Sequence, residues 1–352
     1  VNMCVTSTCK VLSILAVSGA MFAGRAWAQG SLTPPAGVPA PAMRTLQQIE
    51  PRTPIAALPF TITAPGSYYL TTNLTSSGGG ISIDSDGVTL DLMGFTLSGS
   101  KTDGYYGVVL GAGGVPVNNG VVRNGTIRNF GVGLYVSACQ SCRFEQITLY
   151  SNETSGITLS GSSSKGCENN VIRDCMIDGN GSFGGVLIYA NGGFCRGNTF
   201  ADCIVVGNKS TGIYLMGSSG GACNGNIIRN CTINDNASYG IYLTSSAGGQ
   251  CEGNLLADCT LSRNGSRGIW MSSANGNRVE GNHLYGQLGA NTSGIESSGA
   301  SRNLIFRNSC VGQTNNFSLS SSDTYGPIVT ASGALSTTNG AAGLSPWANF
   351  SR

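Results

Sequence analysis

Charge is what this sequence is shortest of. Asp, Glu, Lys and Arg make up 10% of its 352 residues, the formal net charge is +2, and no basic run occurs. Nucleic-acid binding rests on a clustered basic footprint that neutralises phosphates, so no nucleic-acid partner is expected. Histidine is rarer still, with His283 standing alone. Cys139-Gln140-Ser141-Cys142 is a lone C-x-x-C, and zinc would need a second pair of ligands at suitable spacing. The chain therefore implies no metal and no cofactor. Apart from one short N-terminal run, no apolar stretch approaches the length of a membrane-spanning helix. Helical periodicity is missing from the middle of the chain as well.

Glycine is what abounds, 53 residues of it, with Ser and Asn, as suits a chain that turns every few residues. Regularly spaced Ile, Leu and Val argue against disorder. From Cys167 to Arg278 one 28-residue pattern is written four times, close to C-x-x-N-x-Φ-x-D-C-x-Φ-x-x-N-x-S-x-G-Φ-x-Φ, where Φ is apolar. Asn170, Asn198, Asn226 and Asn254 return on that step, as do Cys175, Cys203, Cys231 and Cys259, and Asn180, Asn208, Asn236 and Asn264. Gly156, Gly184, Gly212, Gly240 and Gly268 follow the same spacing. A fixed period of this length signals a solenoid whose units bury their apolar faces only against neighbours. Three short alternating runs per period, with no helix, predict an all-β parallel β-helix of about 28 residues and three strands per coil. Ile157/Leu159, Ile213/Leu215, Ile241/Leu243 and Ile269/Met271 would fill the core from the first strand. Ile172, Phe200, Ile228 and Leu256 would do so from the second, and Ile177, Val205, Ile233 and Leu261 from the third. Leucine-rich, calcium-binding nonapeptide and hexapeptide solenoids fail on motif or period.

In chain order, residues 1–28 read as a signal peptide: Lys10, an apolar core from Val11 to Phe22, then Ala26-Trp27-Ala28. Residues 29–42 form a Pro-rich linker. Residues 43–79 hold an N-terminal cap, with two helical turns over Met43 to Glu50, and the first strands. The β-helix occupies 80–317, and 318–352 form a C-terminal cap with a strand near Gly326 to Thr330 and with Trp347 and Phe350 over the last coil. The expected location is secreted, periplasmic or cell-surface. Export permits disulfides, and loss of Cys4 and Cys9 with the signal leaves 11 of 13 cysteines.

The coils resemble the right-handed parallel β-helix repeats of the pectate-lyase-like superfamily, whose turns also carry stacked Asn. The flanks resemble a group of exported bacterial β-helix proteins, through Thr45 to Ile55 (TLQQIEPRTPI), Pro65 to Thr71, Gly87 to Leu97, Tyr325 to Val329 and Pro346 to Phe350. The resemblance implies a right-handed helix along nearly the whole mature chain and says little about activity. The superfamily's lyases use calcium-binding acids and an Arg base; its polygalacturonases carry N-T-D, paired Asp, G-H-G and R-I-K. None of these motifs is present. Asp84-Ser85-Asp86-Gly87 looks like half a calcium loop without the distal Glu.

The Asn columns read as structural, bonding up and down the stack. Asn124, Asn282 and Asn308 would occupy the site that the middle coils give to Cys. Coils about 4.8 Å apart bring stacked Cα atoms within the roughly 4.4 to 6.8 Å that a disulfide tolerates. Vertical pairs such as Cys167–Cys195 and Cys223–Cys251 are thus open to bonding, as is a local Cys139–Cys142 pair; the inner column is equally well read as small buried hydrophobes. One column faces outward, two residues after each glycine: Tyr135, Thr158, then Val186 or Leu187, then Tyr214, Tyr242, Trp270 and Glu296. Three functions fit. The first is an exported protein that binds polysaccharide on this aromatic strip, sugar rings stacking on its faces. The second is a carbohydrate-active hydrolase, lyase or epimerase around Glu296, with Glu280, His283 and Arg267 nearby. The third is a structural surface or appendage protein whose strip is packing.

Overall fold

Three sharp bends per coil set the architecture, and all share one backbone device: a residue of left-handed φ followed by a buried Asn or Cys. At the first bend Asn169, Gly197, Gly225 and Gly253 (φ 54° to 65°) precede Asn170, Asn198, Asn226 and Asn254. At the second, Asp174, Asp202, Asn230 and Asp258 (φ 53° to 56°) precede Cys175, Cys203, Cys231 and Cys259. At the third, Gly179, Gly207, Asp235 and Arg263 (φ 50° to 64°) precede Asn180, Asn208, Asn236 and Asn264. That conformation costs an ordinary L-residue roughly 1–2 kcal/mol, and Gly, Asn and Asp bear it best. The Asp column is therefore backbone chemistry.

Strands between the bends stack in parallel. A computed structural model describes residues 50–111, 115–162, 165–290, 292–330 and 345–352. Among these residues every strand pairing is parallel, in sheets of 22, 11 and 5 strands. The 11-stranded sheet takes one strand per regular coil, as in Ile213–Ser218, Ile241–Ser245 and Arg267–Ser272. The 22-stranded sheet takes two short ones, such as Ile227–Arg229 and Thr232–Asn234. The five-stranded sheet runs at one corner through Cys139–Gln140, Gly166–Glu168, Phe194–Arg196 and Ala222–Asn224. All the core residues named from the sequence are fully buried. The chain is a right-handed parallel β-helix. The expected signal peptide (1–28), linker (29–42) and helical turns over Met43 to Glu50 lie outside the described residues, save Glu50, which is in no helix. No helix among the described residues is long and apolar enough to cross a membrane.

The Asn columns are continuous hydrogen-bonded ladders. Asn198 Oδ1 accepts from both the amide (3.1 Å) and Nδ2 (2.9 Å) of Asn170, while its own Nδ2 donates to the Cys167 carbonyl (2.9 Å) and to Asn226 Oδ1 (3.0 Å). The pattern repeats to Asn303 and ends on Asp323. The third-bend ladder ends on Gln287, which accepts from the Asn264 amide. Below Cys259 the inner sulfur column turns into Asn282, Asn308 and Asn349, so the shared Asn/Cys site holds there. Asn124 departs from that expectation. Pairing of Val121–Arg128 with Arg143–Tyr150 sets Asn124 opposite Gln146, in the left-handed Asp174 column, one residue before the sulfur site.

Glycine spacing also needs a correction. Gly185, rather than Gly184, continues the column from Gly156 to Gly212. One extra residue enters before Gly185, where Gly184 takes φ +97°, and one is missing before Cys195. That shift settles the outward register: Leu187 lies between Thr158 and Tyr214.

The sulfur columns carry no disulfide here. All eleven described cysteines, including the expected pairs Cys139/Cys142, Cys167/Cys195 and Cys223/Cys251, are free and buried. Cys139 and Cys142 do not share a column: Cys139 continues the one through Cys167, Cys195 and Cys223, whereas Cys142 heads the Asn170 ladder, its amide donating to Asn170 Oδ1 (2.9 Å). Thiols with no water around them need partners, and the sulfurs donate to backbone carbonyls, as Cys167 does to Val136 (3.2 Å). Burial pushes the Cys223 and Cys310 thiols well up, away from the reactive thiolate. The expected result with a thiol reagent is no labelling of the native protein and labelling of all eleven once it is denatured. A shortfall after denaturation would count cysteines locked in disulfides.

Candidate functional site

The outward column of the 11-stranded sheet is in register from Tyr135 through Thr158, Leu187, Tyr214, Tyr242 and Trp270 to Glu296. Alternation forces this, because each residue is flanked by buried, inward-facing neighbours, such as Ile213 and Leu215 around Tyr214 or Ile269 and Met271 around Trp270. Thr158 and Leu187 are buried, which splits the column in two. Tyr135 stacks on Tyr106 (4.5 Å) towards the N-terminus, and the other segment begins at Tyr214.

Ring orientation is the part that spacing does not give. Tyr214 and Tyr242 stack face to face (4.9 Å, 15°), as do Tyr242 and Trp270 (4.4 Å, 9°). Arg267 places its guanidinium 4.6 Å over Trp270 while its Nε donates to Glu296 in the next coil (2.6 Å). The ring faces are therefore spent along the rod axis, and the half-buried rings turn edges and polar groups to solvent. Sugar stacking on open faces does not fit this geometry; edge contact and hydrogen bonding do. Burial pushes the Tyr214 phenol up to about 12, and its hydroxyl meets the Met216 sulfur (3.2 Å). Trp270 Nε1 donates to Ser298 Oγ (3.1 Å). Tyr239, not singled out from the sequence, tilts against both Tyr242 (5.2 Å) and Trp270 (4.9 Å). Its signal was there: Tyr239 stands one 28-residue step before Arg267.

The carboxylates are not gathered. Glu296 accepts from Arg267 and from Ser293 Oγ (2.9 Å) on the 11-stranded sheet. Glu280 and His283 belong to the 22-stranded sheet, with separate partners. Glu280 Oε2 accepts from Arg278 (2.8 Å) and Arg307 (2.9 Å), and His283 Nδ1 lies 2.7 Å from Ser309 Oγ. Arg278, aided by Arg307, holds the Glu280 carboxyl below the usual carboxylate range, the opposite of what a general acid requires. Of the acids and bases expected around Glu296, only Arg267 meets it. At the half calcium loop, Asp86 accepts from the Asn118 amide of the next coil (2.7 Å) and Asp84 from Ser82 Oγ two residues before it (2.9 Å).

Fold and site together define a right-handed parallel β-helix repeat protein. Residues 70–223 match the family described as right handed beta helix region, and residues 180–327 match periplasmic copper-binding protein (NosD). No curated protein matches the chain. Among solved structures it is similar to the Dettilon tailspike protein (14% identity, TM-score 0.61), with 85% of this chain covered but only 61% of the tailspike chain. It is also similar to an alginate lyase from Paenibacillus sp. (13%, TM-score 0.62, 78% of this chain and 99% of the lyase). A third is the A-module of the Azotobacter vinelandii mannuronan C-5 epimerase AlgE6 (15%, TM-score 0.55, 79% and 78%). Identities this low speak for the fold alone.

Proposed function

We infer that this chain is an exported protein that binds an extended polysaccharide along the outer face of its 11-stranded sheet. The observation that carries this reading is the strip Tyr214, Tyr242 and Trp270 on three consecutive coils, bordered by Tyr239 and the Arg267–Glu296 pair. A linear polymer lying along the rod would meet a regular row of aromatic edges, phenol hydroxyls and a guanidinium. The neighbours' names, an alginate lyase and a mannuronan epimerase, support the polysaccharide class. Catalysis has less support, because Glu296 is held by Arg267 and Ser293 and, among the described residues, no second carboxylate joins it.

The test is binding of the exported chain to a panel of polysaccharides, beside the triple variant Tyr214→Ala, Tyr242→Ala, Trp270→Ala. Loss of roughly tenfold or more in affinity by a still-folded variant is expected. A reducing-end assay on the same polymers separates binding from cleavage. Failure of the parent to bind any polymer would hand the strip to the second reading, that it is packing. That reading is favoured by the occupied ring faces, since stacked cross-strand pairs stabilise a sheet by themselves.

A further inference from the structure

The last coils hold a feature that the strip does not involve. Leu304, Phe306, Tyr325, Pro327 and Trp347 line a cavity of about 390 Å³, within the size range of small-molecule sites. Its aromatic walls are built in. Trp347 meets Phe306 edge-on (5.0 Å, 74°), while Trp347 and Tyr325 remain 55% and 44% exposed. Two cations pack on its Phe306 wall. The Arg278 and Arg307 guanidinia lie 4.7 Å and 5.3 Å over the Phe306 ring, and Arg278 is the in-register neighbour of Leu304. Both donate to a single oxygen, Glu280 Oε2, and among the described residues no second carboxylate pairs with either. Two guanidinium charges against one carboxylate leave one positive charge at the Phe306 wall. Each guanidinium carries five N–H donors in a fork that suits a carboxylate.

We propose that this cavity is a second binding site, for a small ring-shaped apolar ligand carrying one carboxylate. The ring enters between Trp347, Tyr325 and Leu304, and the carboxylate accepts from Arg278 and Arg307 beside Glu280. Neutral rings of the same shape fill the cavity but leave the spare charge unanswered. Polymer binding on the strip is independent of this site.

Calorimetric titration of the full chain with naphthoate and with naphthyl methanol tests the proposal. Expected are one saturable site per chain and at least a tenfold preference for the acid. Trp347→Ala should weaken both ligands. The triple variant Arg278→Gln, Arg307→Gln, Glu280→Gln, which leaves no charge unpaired, should bring the acid down to the affinity of the alcohol. Should that variant misfold, the parent still decides: the acid preference must narrow as salt rises, because the cations are half-exposed. Absence of saturable binding, binding indifferent to Trp347→Ala, or an acid preference that survives both the charge-free variant and high salt would overturn the proposal.

Discussion

Replacing Gly212 with alanine is expected to cost about 3 kcal/mol or more, enough to unfold much of the protein near its ordinary melting range. A Cβ at this position would lie 2.6 Å from the Gly240 carbonyl oxygen, 2.7 Å from Ile233 Cγ2 and 2.9 Å from Asn236 Nδ2. None of the three can retreat. The carbonyl belongs to the next coil and accepts the Ile213 amide, the methyl is core, and the amide is a rung of the third-bend ladder. Coil spacing is fixed by the backbone ladder, so the strain opens the stack rather than dispersing. Gly220→Ala is the control: its φ is +75°, but nothing lies within 4 Å of the new atom. That variant bears only the left-handed backbone cost of about 1–2 kcal/mol. Denaturant melts of the pair would show it, and equal midpoints would mean that the coils can part locally at no cost.

Asn226→Ala should be as damaging for a different reason. The side chain is fully buried and makes four bonds to nitrogen and oxygen partners, besides a 3.6 Å contact of Nδ2 with the Cys223 sulfur: Oδ1 accepts from the Asn198 amide (3.1 Å) and Nδ2 (3.0 Å), and Nδ2 donates to the Cys195 carbonyl (3.0 Å) and Asn254 Oδ1 (3.0 Å). Truncation takes one bond from each of these four groups. Asn198 Nδ2 keeps the Cys167 carbonyl and Asn254 Oδ1 keeps the Asn226 amide. The Asn198 amide and the Cys195 carbonyl lose their side-chain partner away from water, each worth about 1–3 kcal/mol, for a loss of about 3 kcal/mol. The end of the same ladder behaves otherwise. Asp323 uses Oδ1 alone, accepting from Asn303, and its Oδ2 is buried without a partner among the described residues. Asp323→Asn should therefore leave stability unchanged or raise it. If both variants melt with the parent, the ladders do not hold the coils together.

Much of this was legible because burial in a solenoid is periodic. Ile228 and Leu256 face the core for the same reason that Asn226 and Asn254 line a bend, one repeat apart. Legibility fails where a repeat gains or loses a residue, which is why the 28-residue step points to Gly184 where Gly185 holds the column and leaves the place of Leu187 open. It failed one residue to the side at Asn124, because an Asn at a bend suits either the left-handed position or the buried one after it. In the candidate site, spacing placed Tyr214, Tyr242, Trp270 and Glu296 on one line. Rotation about side-chain bonds has no period in the sequence, so the face-to-face stacking went unread. Glu280 and His283 are near Glu296 in the chain, but a bend separates them from it onto another sheet.

The direction of the Asn ladders has a consequence for how such a protein changes length. Every rung receives from the coil before and gives to the coil after, so any whole repeat can be spliced in or out between Cys167 and Gln250 with each oxygen still meeting its nitrogen. Removal of Cys195 through Ala222 would join Phe194 to Cys223 and restore every column. A gene can thus lengthen or shorten the outer face one rung at a time, leaving both ends as they are. Reach along a ligand then becomes a trait that selection adjusts by counting repeats, without redesigning a fold.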